Sequence, residues 1–298
     1  MTTRLLQCRD DIFVKMELDN PGGSHKYRAA KNIIESSIIS GKIIPQKTTI
    51  IEKTGGNFGL GLLAVCSRVG VDVDLAVGLS FSKYKRKILR SFGAQLIGID
   101  LLQQGMTPRE VVEYHISKQE VHGKHYFYTD QFNNKLGVEA HRIQTGSEIA
   151  RQLKENHSGN DVIFIGCAGT GASFTGTCNA LKDHGYNVIP ILIEPDGCDS
   201  KNEIFVDHRI EGVSVGVRPP FLEWNLISET MTVSSSEFMK ARQKFFSETG
   251  LLLGNSSAAS MAAAYRIREE KRLQSIPIVT IAYAPSGRIV VASSDSLL

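Results

Sequence analysis

Asp161-Val162-Ile163-Phe164-Ile165-Gly166-Cys167-Ala168-Gly169-Thr170-Gly171-Ala172-Ser173-Phe174-Thr175-Gly176 is the stretch that decides the fold. The unbroken apolar run from Val162 to Ile165 lacks the alternation of a half-solvated strand and fits a strand buried on both faces. A glycine turn bearing hydroxyls follows, and then a helical pattern over Ala172–His184. Strand, glycine turn and helix together cradle a phosphate, because backbone N–H groups can approach the anion and the helix dipole favours its charge. A dinucleotide fingerprint would read Gly-x-Gly-x-x-Gly, but Phe174 takes the third glycine position, and no Gly-Lys-Ser/Thr follows. A monophosphate on Gly169, Thr170, Gly171 and Ser173 therefore fits better than a dinucleotide or triphosphate. The alternative is a plain structural turn.

The same alternation extends in both directions. Strands are predicted at Ile12–Glu17, Thr48–Glu52, Val71–Val77, Gln95–Ile99, Asp161–Gly166, Val188–Ile193 and Pro277–Ala282. Helical patterns fill the intervals at Tyr27–Ser40, Asn57–Val69, Ser82–Phe92, Pro108–Glu120, Glu139–Glu155, Ala172–His184, Ser235–Glu248 and Ser256–Arg272. Such a chain is α/β, with mainly parallel sheets covered on both faces. Two blocks separate, residues 13–135 and 136–298, with 1–12 expected to pack on the second. Ligand sites in these sheets form where strands give way to loops at their carboxyl ends.

Three more elements lie at such places. Glu52-Lys53-Thr54-Gly55-Gly56-Asn57-Phe58-Gly59 follows a predicted strand. Its glycines suit a carboxylate, and the Asn57 amide could bond a phenolate-type oxygen or simply cap the next helix. Lys26, in Asn20-Pro21-Gly22-Gly23-Ser24-His25-Lys26, stands at a helix mouth with Ser24 reading as the N-cap. A partly desolvated amine there becomes a nucleophile for a carbonyl carbon. The last element, Ala282-Tyr283-Ala284-Pro285-Ser286-Gly287, ends an apolar strand in a turn with one hydroxyl.

Composition narrows the class. Over 298 residues, 42% hydrophobic and 22% charged content is ordinary for a soluble protein, and a net charge of +3 is too small to imply nucleic acid. The basic run Lys83–Lys87 reads as a solvated helix face. Five cysteines, odd in number and without a Cys-x-x-Cys pair, speak against a disulfide framework or a zinc site and for a reducing compartment. No metal site is expected. The N-terminus lacks a signal-peptide core, and no apolar run approaches the ~18 residues of a membrane span. The expected location is the cytoplasm.

A lysine nucleophile, a monophosphate cup, an amide for a phenolate oxygen and a hydroxyl for a ring nitrogen together describe a pyridoxal phosphate site. On these residues the chain resembles the cysteine synthase/cystathionine β-synthase family of fold-type II pyridoxal phosphate enzymes. Asn20 to Lys26 is similar to that family's Asn-Pro-x-x-Ser-x-Lys. Thr54-Gly55-Gly56-Asn57-Phe58-Gly59 is similar to its Thr-Ser-Gly-Asn-Thr-Gly, and Gly169-Thr170-Gly171-Ala172-Ser173 to its Gly-Thr-Gly-Gly-Thr. Asp130-Gln131-Phe132, His141 and Thr145-Gly146-x-Glu148 continue the likeness, as do Ile193-Glu194-Pro195, His208 to Gly212 and Glu248 to Ala259.

The resemblance implies two three-layer αβα domains of the tryptophan synthase β type, with pyridoxal 5'-phosphate bound between them. By the same likeness Lys26 is the Schiff-base lysine, Asn57 meets the cofactor O3′, and Gly169, Thr170, Gly171, Ala172 and Ser173 hold the phosphate. Ser286 falls at the pyridine nitrogen, while Thr54, Gly55, Gly56, Gln131 and Gly212 belong to the substrate. The implied reaction is β-replacement on an O-activated L-serine through an aminoacrylate. The alternatives are β-elimination to pyruvate and ammonia, or a diaminopropionate-type synthesis with an amine nucleophile. A homodimer is implied as well.

The chain departs from the family mainly on the substrate side. Gly55 replaces a serine and Phe58 a threonine, and Ser214 and Val215 interrupt the glycine-rich Gly212–Gly216. Losing a hydroxyl donor should weaken carboxylate binding, by about 0.5–1.5 kcal/mol for a neutral hydrogen bond and more to a charged oxygen, or make room for a different substrate. Ala172 replaces a phosphate-loop glycine, a tolerable change if that residue is already helical.

Overall fold

In the computed structural model, which describes residues 2–81, 83–270, 273 and 276–285, the decisive apolar run is a strand buried from its second residue onward. In chain order the strands are β1 (Leu5–Gln7), β2 (Ile12–Lys15), β3 (Thr48–Glu52), β4 (Asp72–Leu75) and β5 (Gln95–Leu96). They continue as β6 (His125–Tyr128), β7 (Asp161–Cys167), β8 (Asn187–Pro195), β9 (Glu229–Val233) and β10 (Ile278–Ile281). The helices are α1 (Lys26–Ile39), α2 (Asn57–Val69), α3 (Lys83–Ser91), α4 (Ile99–Gln103) and α5 (Pro108–Ser117). After them come α6 (Leu136–Ala140), α7 (Ser147–Asn156), α8 (Ala172–Asp183), α9 (Ser235–Thr249) and α10 (Asn255–Glu269).

Two units result, each an αβα sandwich. Asp19–Thr145 holds the four-stranded sheet β5-β4-β3-β6, parallel throughout. The period of a strand sends neighbouring side chains to opposite faces, and β3 shows both. Ile50 joins Ile33, Ile34, Leu62 and Leu63 in one cluster, while Ile51 joins Ala76, Ile97, Leu102, Val111 and Val112 in another. With both faces buried, each isoleucine contributes roughly 1.5–3 kcal/mol, which explains why β3 reads as apolar rather than alternating.

The residues up to Leu18 and those from Gly146 onward form the other unit. Its sheet runs β1-β2-β10-β7-β8-β9, parallel except for the β1–β2 pair. Helices α7 to α10 contribute Ile149, Leu153, Phe174, Leu181, Phe245 and Met261 to its single core. A buried polar knot fixes the N-terminal hairpin: Lys15 Nζ donates to Glu148 Oε2 at 2.7 Å, to the Thr3 carbonyl at 2.7 Å and to Gln152 Oε1 at 2.8 Å. This gives Glu148 of the Thr-Gly-x-Glu segment a structural role.

Several expectations are corrected. The division falls at 18/19 and 145/146 rather than at 12/13 and 135/136; the first bound moves because β2 pairs with β10 and so belongs to the six-stranded sheet. The strand expected over Gln95–Ile99 stops at Leu96, since Gly98 turns left-handed (φ +61) and Ile99 opens α4. The single helix expected over Glu139–Glu155 is broken by a π-helical turn, His141–Gly146. Lastly, α1 starts from His25 and not from Ser24, whose buried Oγ caps nothing.

Candidate functional site

Lys26 is the first residue of α1, presented by the short 3-10 turn Pro21–Gly23. Desolvation lowers its amine from the ordinary lysine value to about 8, opposed by the negative charge of Glu52. Roughly a tenth of such amines are neutral at pH 7, against about 0.03% for an ordinary lysine. The unpartnered Ser24 Oγ lies two residues upstream. His141, on the π-helical turn, is buried with Nδ1 2.9 Å from Thr145 Oγ1, and its ring lies 5.7 Å from that of His25. Burial first, then the cations of His25, Lys26 and Arg28, hold it well below the usual imidazole range. It is thus a neutral imidazole near physiological pH.

Glu52 was not singled out from the sequence. It ends β3 with no exposure, accepting Thr129 Oγ1–H at 2.5 Å and the Gln131 N–H at 3.3 Å on Oε2, and the Lys53 N–H at 3.0 Å on Oε1. Burial pushes its carboxyl up to about 7, although those hydrogen bonds pull the other way. The available signal was a carboxylate closing an otherwise uncharged strand, where an unpaired charge would be costly.

The Thr54–Asn57 loop follows Lys53 directly. Thr54 Oγ1 accepts the Gly56 N–H at 3.4 Å, and Gly56 is the N-cap of α2, so Asn57 is its first helical residue and does not cap it. Asn57 is exposed, and a Cβ built on Gly56 would meet nothing within 4 Å. At Gly55 the opposite holds: a Cβ would sit 2.7 Å from Val77 Cγ1 and 2.8 Å from Phe81 Cγ. Phe58 is buried in the core with α1 and α2, so the family's threonine hydroxyl is replaced by packing. Gln131 reaches this group of residues through its N–H on Glu52.

In the other unit, β7 leads through Gly169–Gly171 into α8, whose N-cap Gly171 is left-handed (φ +85) and makes no side-chain cap. The turn is pressed against its surroundings: a Cβ on Gly169 would lie 2.3 Å from the Gly212 carbonyl oxygen, and one on Gly171 2.6 Å from Leu222 N. The structure thereby brings Gly169 and Gly212 together. Thr170 is buried, its carbonyl accepting the Phe221 N–H at 3.0 Å and its Oγ1 the Ala172 N–H at 3.4 Å. Ala172 is helical, which accounts for its replacing glycine without strain, and Ser173 is buried in the first turn. Ser286 lies outside the described residues.

Ser214 is left-handed too (φ 44), donates its N–H to the Ala168 carbonyl at 3.3 Å, and shares a hydrogen bond with Ser200 Oγ at 3.2 Å. It lines a cavity of about 310 Å³ with Phe205, Val206, Asp207, His208, Val215 and Gly216. The Ile210 N–H donates to His208 Nδ1 at 3.2 Å, which places the His208 proton on Nε2, 3.4 Å from the Ser214 carbonyl. Among the described residues no three His, Cys, Asp or Glu side chains are grouped to hold a metal, and no helix is long and apolar enough to cross a membrane.

The family described as "Pyridoxal-phosphate dependent enzyme" matches residues 2–283. Cysteine synthase of Staphylococcus aureus is 32% identical over 268 residues, covering 87% of this chain and 81% of that protein. Cystathionine beta-synthase of Saccharomyces cerevisiae is 30% identical over 279 residues; the match covers 90% of this chain but spans only 54% of the yeast protein. Among solved structures, the O-acetylserine dependent cystathionine beta-synthase of Helicobacter pylori superposes with a TM-score of 0.79 at 29% identity, covering 96% of this chain and 93% of that one.

Proposed function

This chain belongs to the family of pyridoxal-phosphate dependent enzymes, and we propose that within it the protein catalyses β-replacement on an O-activated L-serine. The observation that carries the reading is Lys26, an amine brought down to about 8 by desolvation and set two residues after an unpartnered buried hydroxyl. The residues fit pyridoxal phosphate: Gly169–Gly171 is a glycine turn packed too closely to admit a Cβ at either glycine, at the mouth of a helix without a side-chain cap. Gly169, Thr170, Gly171, Ala172 and Ser173 would hold the phosphate, Lys26 would carry the aldehyde carbon, and Asn57 would face the phenolate oxygen. Ser286 is proposed for the ring nitrogen on the family likeness alone. When bound, the cofactor supplies an electron sink that acidifies the substrate's α-carbon and lets a β-substituent leave.

The chain's own residues do the rest. Lys26 Nζ, once exchanged for the substrate's amine, is the base that takes the α-proton. The backbone N–H groups of Thr54 to Asn57 and the side chain of Gln131 bind the substrate carboxylate. Gly212, with the cavity beyond it at Ser214 and Val215, receives the β-substituent and then the nucleophile. The yeast and Staphylococcus aureus relatives carry the names of β-replacement enzymes, which supports replacement over release to water.

The test is a panel of O-acetyl-, O-phospho- and unmodified L-serine, each with and without sulfide, a thiol or an amine. A new β-substituted alanine, with pyruvate suppressed as nucleophile is added, is the expected result. Pyruvate and ammonia formed at a rate indifferent to nucleophile would replace the proposal with a lyase. A homodimer is proposed with the same reaction, and sedimentation equilibrium tests it.

A further inference from the structure

Glu52 stands where three parts of the proposed site meet, and nothing in the reaction so far uses it. A carboxylate with no solvent exposure costs several kcal/mol unless its oxygens are satisfied, so a strand end serving only as structure would do better with an apolar residue. Here both oxygens are engaged. Oε1 takes the Lys53 N–H at 3.0 Å, at the entry to the Thr54–Asn57 loop. Oε2 takes Thr129 Oγ1–H at 2.5 Å and the Gln131 N–H at 3.3 Å. Between those two donors Asp130 is left-handed (φ 44), a conformation uncommon outside glycine that aspartate tolerates better than most.

We propose that Glu52 is a positioning residue: through the bonds it accepts from Lys53, Thr129 and Gln131 it clamps the Gln131 turn and the entry to the Thr54–Asn57 loop in one geometry. The proposal rests on the role assigned above to Gln131 and Lys26. Desolvation draws the two groups together in affinity, Lys26 down to about 8 and Glu52 up to about 7. The other charged or titratable groups that couple to the pair are Asp130 and Tyr128 beside Glu52, and His141 beside Lys26. Glu52 is the one that raises the lysine's affinity for its proton.

The sign of the effect follows. Removing the negative charge while keeping the shape, in Glu52→Gln, leaves desolvation of Lys26 unopposed and lowers its amine further. Reductive methylation with formaldehyde, followed at the Lys26 peptide by mass spectrometry across pH on the full chain freed of cofactor, should show its midpoint near pH 8 in the wild type. In Glu52→Gln the midpoint should fall by about one pH unit, the size expected for one nearby charge. In the holoenzyme the KM for O-acetyl-L-serine should rise about tenfold or more, because glutamine keeps only one acceptor oxygen and its NH2 must face either the Lys53 N–H or the Thr129 and Gln131 donors, with a smaller change in kcat.

Thr129→Val, which removes only the 2.5 Å bond, should shift the midpoint the same way by less, and it serves if Glu52→Gln does not fold. An unmoved midpoint together with a KM within twofold of wild type in either folded variant overturns the proposal. Failure of the functional reading looks different: the wild type would take up no pyridoxal phosphate, while the methylation midpoints would still report on Glu52.

Discussion

Lys26→Ala is expected to lower kcat/KM for O-acetyl-L-serine by about a thousandfold or more, the range lost when a general base that also orients the reaction is removed. Borohydride treatment of the wild-type holoenzyme should fix a pyridoxyl group on the Lys26 peptide, and the variant should show none. Lys26→Arg sharpens the argument. It keeps a positive charge beside Glu52 but cannot lose its proton near neutrality, so an equal loss assigns the role to the neutral amine and not to the charge. A small exogenous amine should restore part of the activity of Lys26→Ala, whose truncation leaves room for it, and restore less in Lys26→Arg. A reducible link in the alanine variant, at Lys53 for example, would move the assignment to another lysine.

How much of this was legible in the sequence depended on whether the deciding forces were local. Helix α2 was predicted at Asn57–Val69 and lies there, because a glycine pair precedes it and Gly70, left-handed at φ +66, ends it. The passage from β7 through the glycine turn into α8 was equally plain, since a strand buried on both faces reads as an unbroken apolar run. Strand β6 was not found: His125-Tyr126-Phe127-Tyr128 is a half-buried edge without β-branched residues, paired only with β3. Nor was the π-helical turn at His141, which preserves the apolar pattern of an ordinary helix while shifting its phase.

Site residues followed the same rule. The glycines and Lys26 announce themselves by local motif, whereas Glu52 acquires its meaning from Thr129 and Gln131, brought alongside only when β6 pairs with β3. The absence of a serine at 55 was visible, but not its reason, which is Phe81, brought against Gly55 from the segment that follows β4.

Gly55→Ser should therefore damage the enzyme even though it restores a hydroxyl that relatives use. Taken from sequence alone, the change adds a donor and ought to tighten carboxylate binding by about 1.5–3 kcal/mol, the value for a hydrogen bond to a charged group. The packing says otherwise. A Cβ at residue 55 would lie 2.8 Å and 2.9 Å from Phe81 Cγ and Cδ1, atoms at the base of the ring, so relief requires a χ1 rotation that carries the whole ring with it. It would also lie 2.7 Å from one Val77 methyl, which χ1 rotation can partly withdraw. Overpacking of this kind costs about 1–3 kcal/mol, and relieving it shifts the loop, so the added hydroxyl is carried out of line with the carboxylate and its hydrogen bond is not gained. Because the strain falls on the loop proposed to bind the carboxylate, kcat/KM should fall by roughly 5- to 150-fold, mostly through KM.

Phe81→Ala removes the obstacle, so the double variant Gly55→Ser/Phe81→Ala should recover most of that loss. The two changes should couple favourably by about 1–2 kcal/mol in a double-mutant cycle. Val77→Ala should rescue less. Wild-type activity in Gly55→Ser, or a loss that Phe81→Ala leaves untouched, would show that the glycine answers to the substrate rather than to the ring behind it.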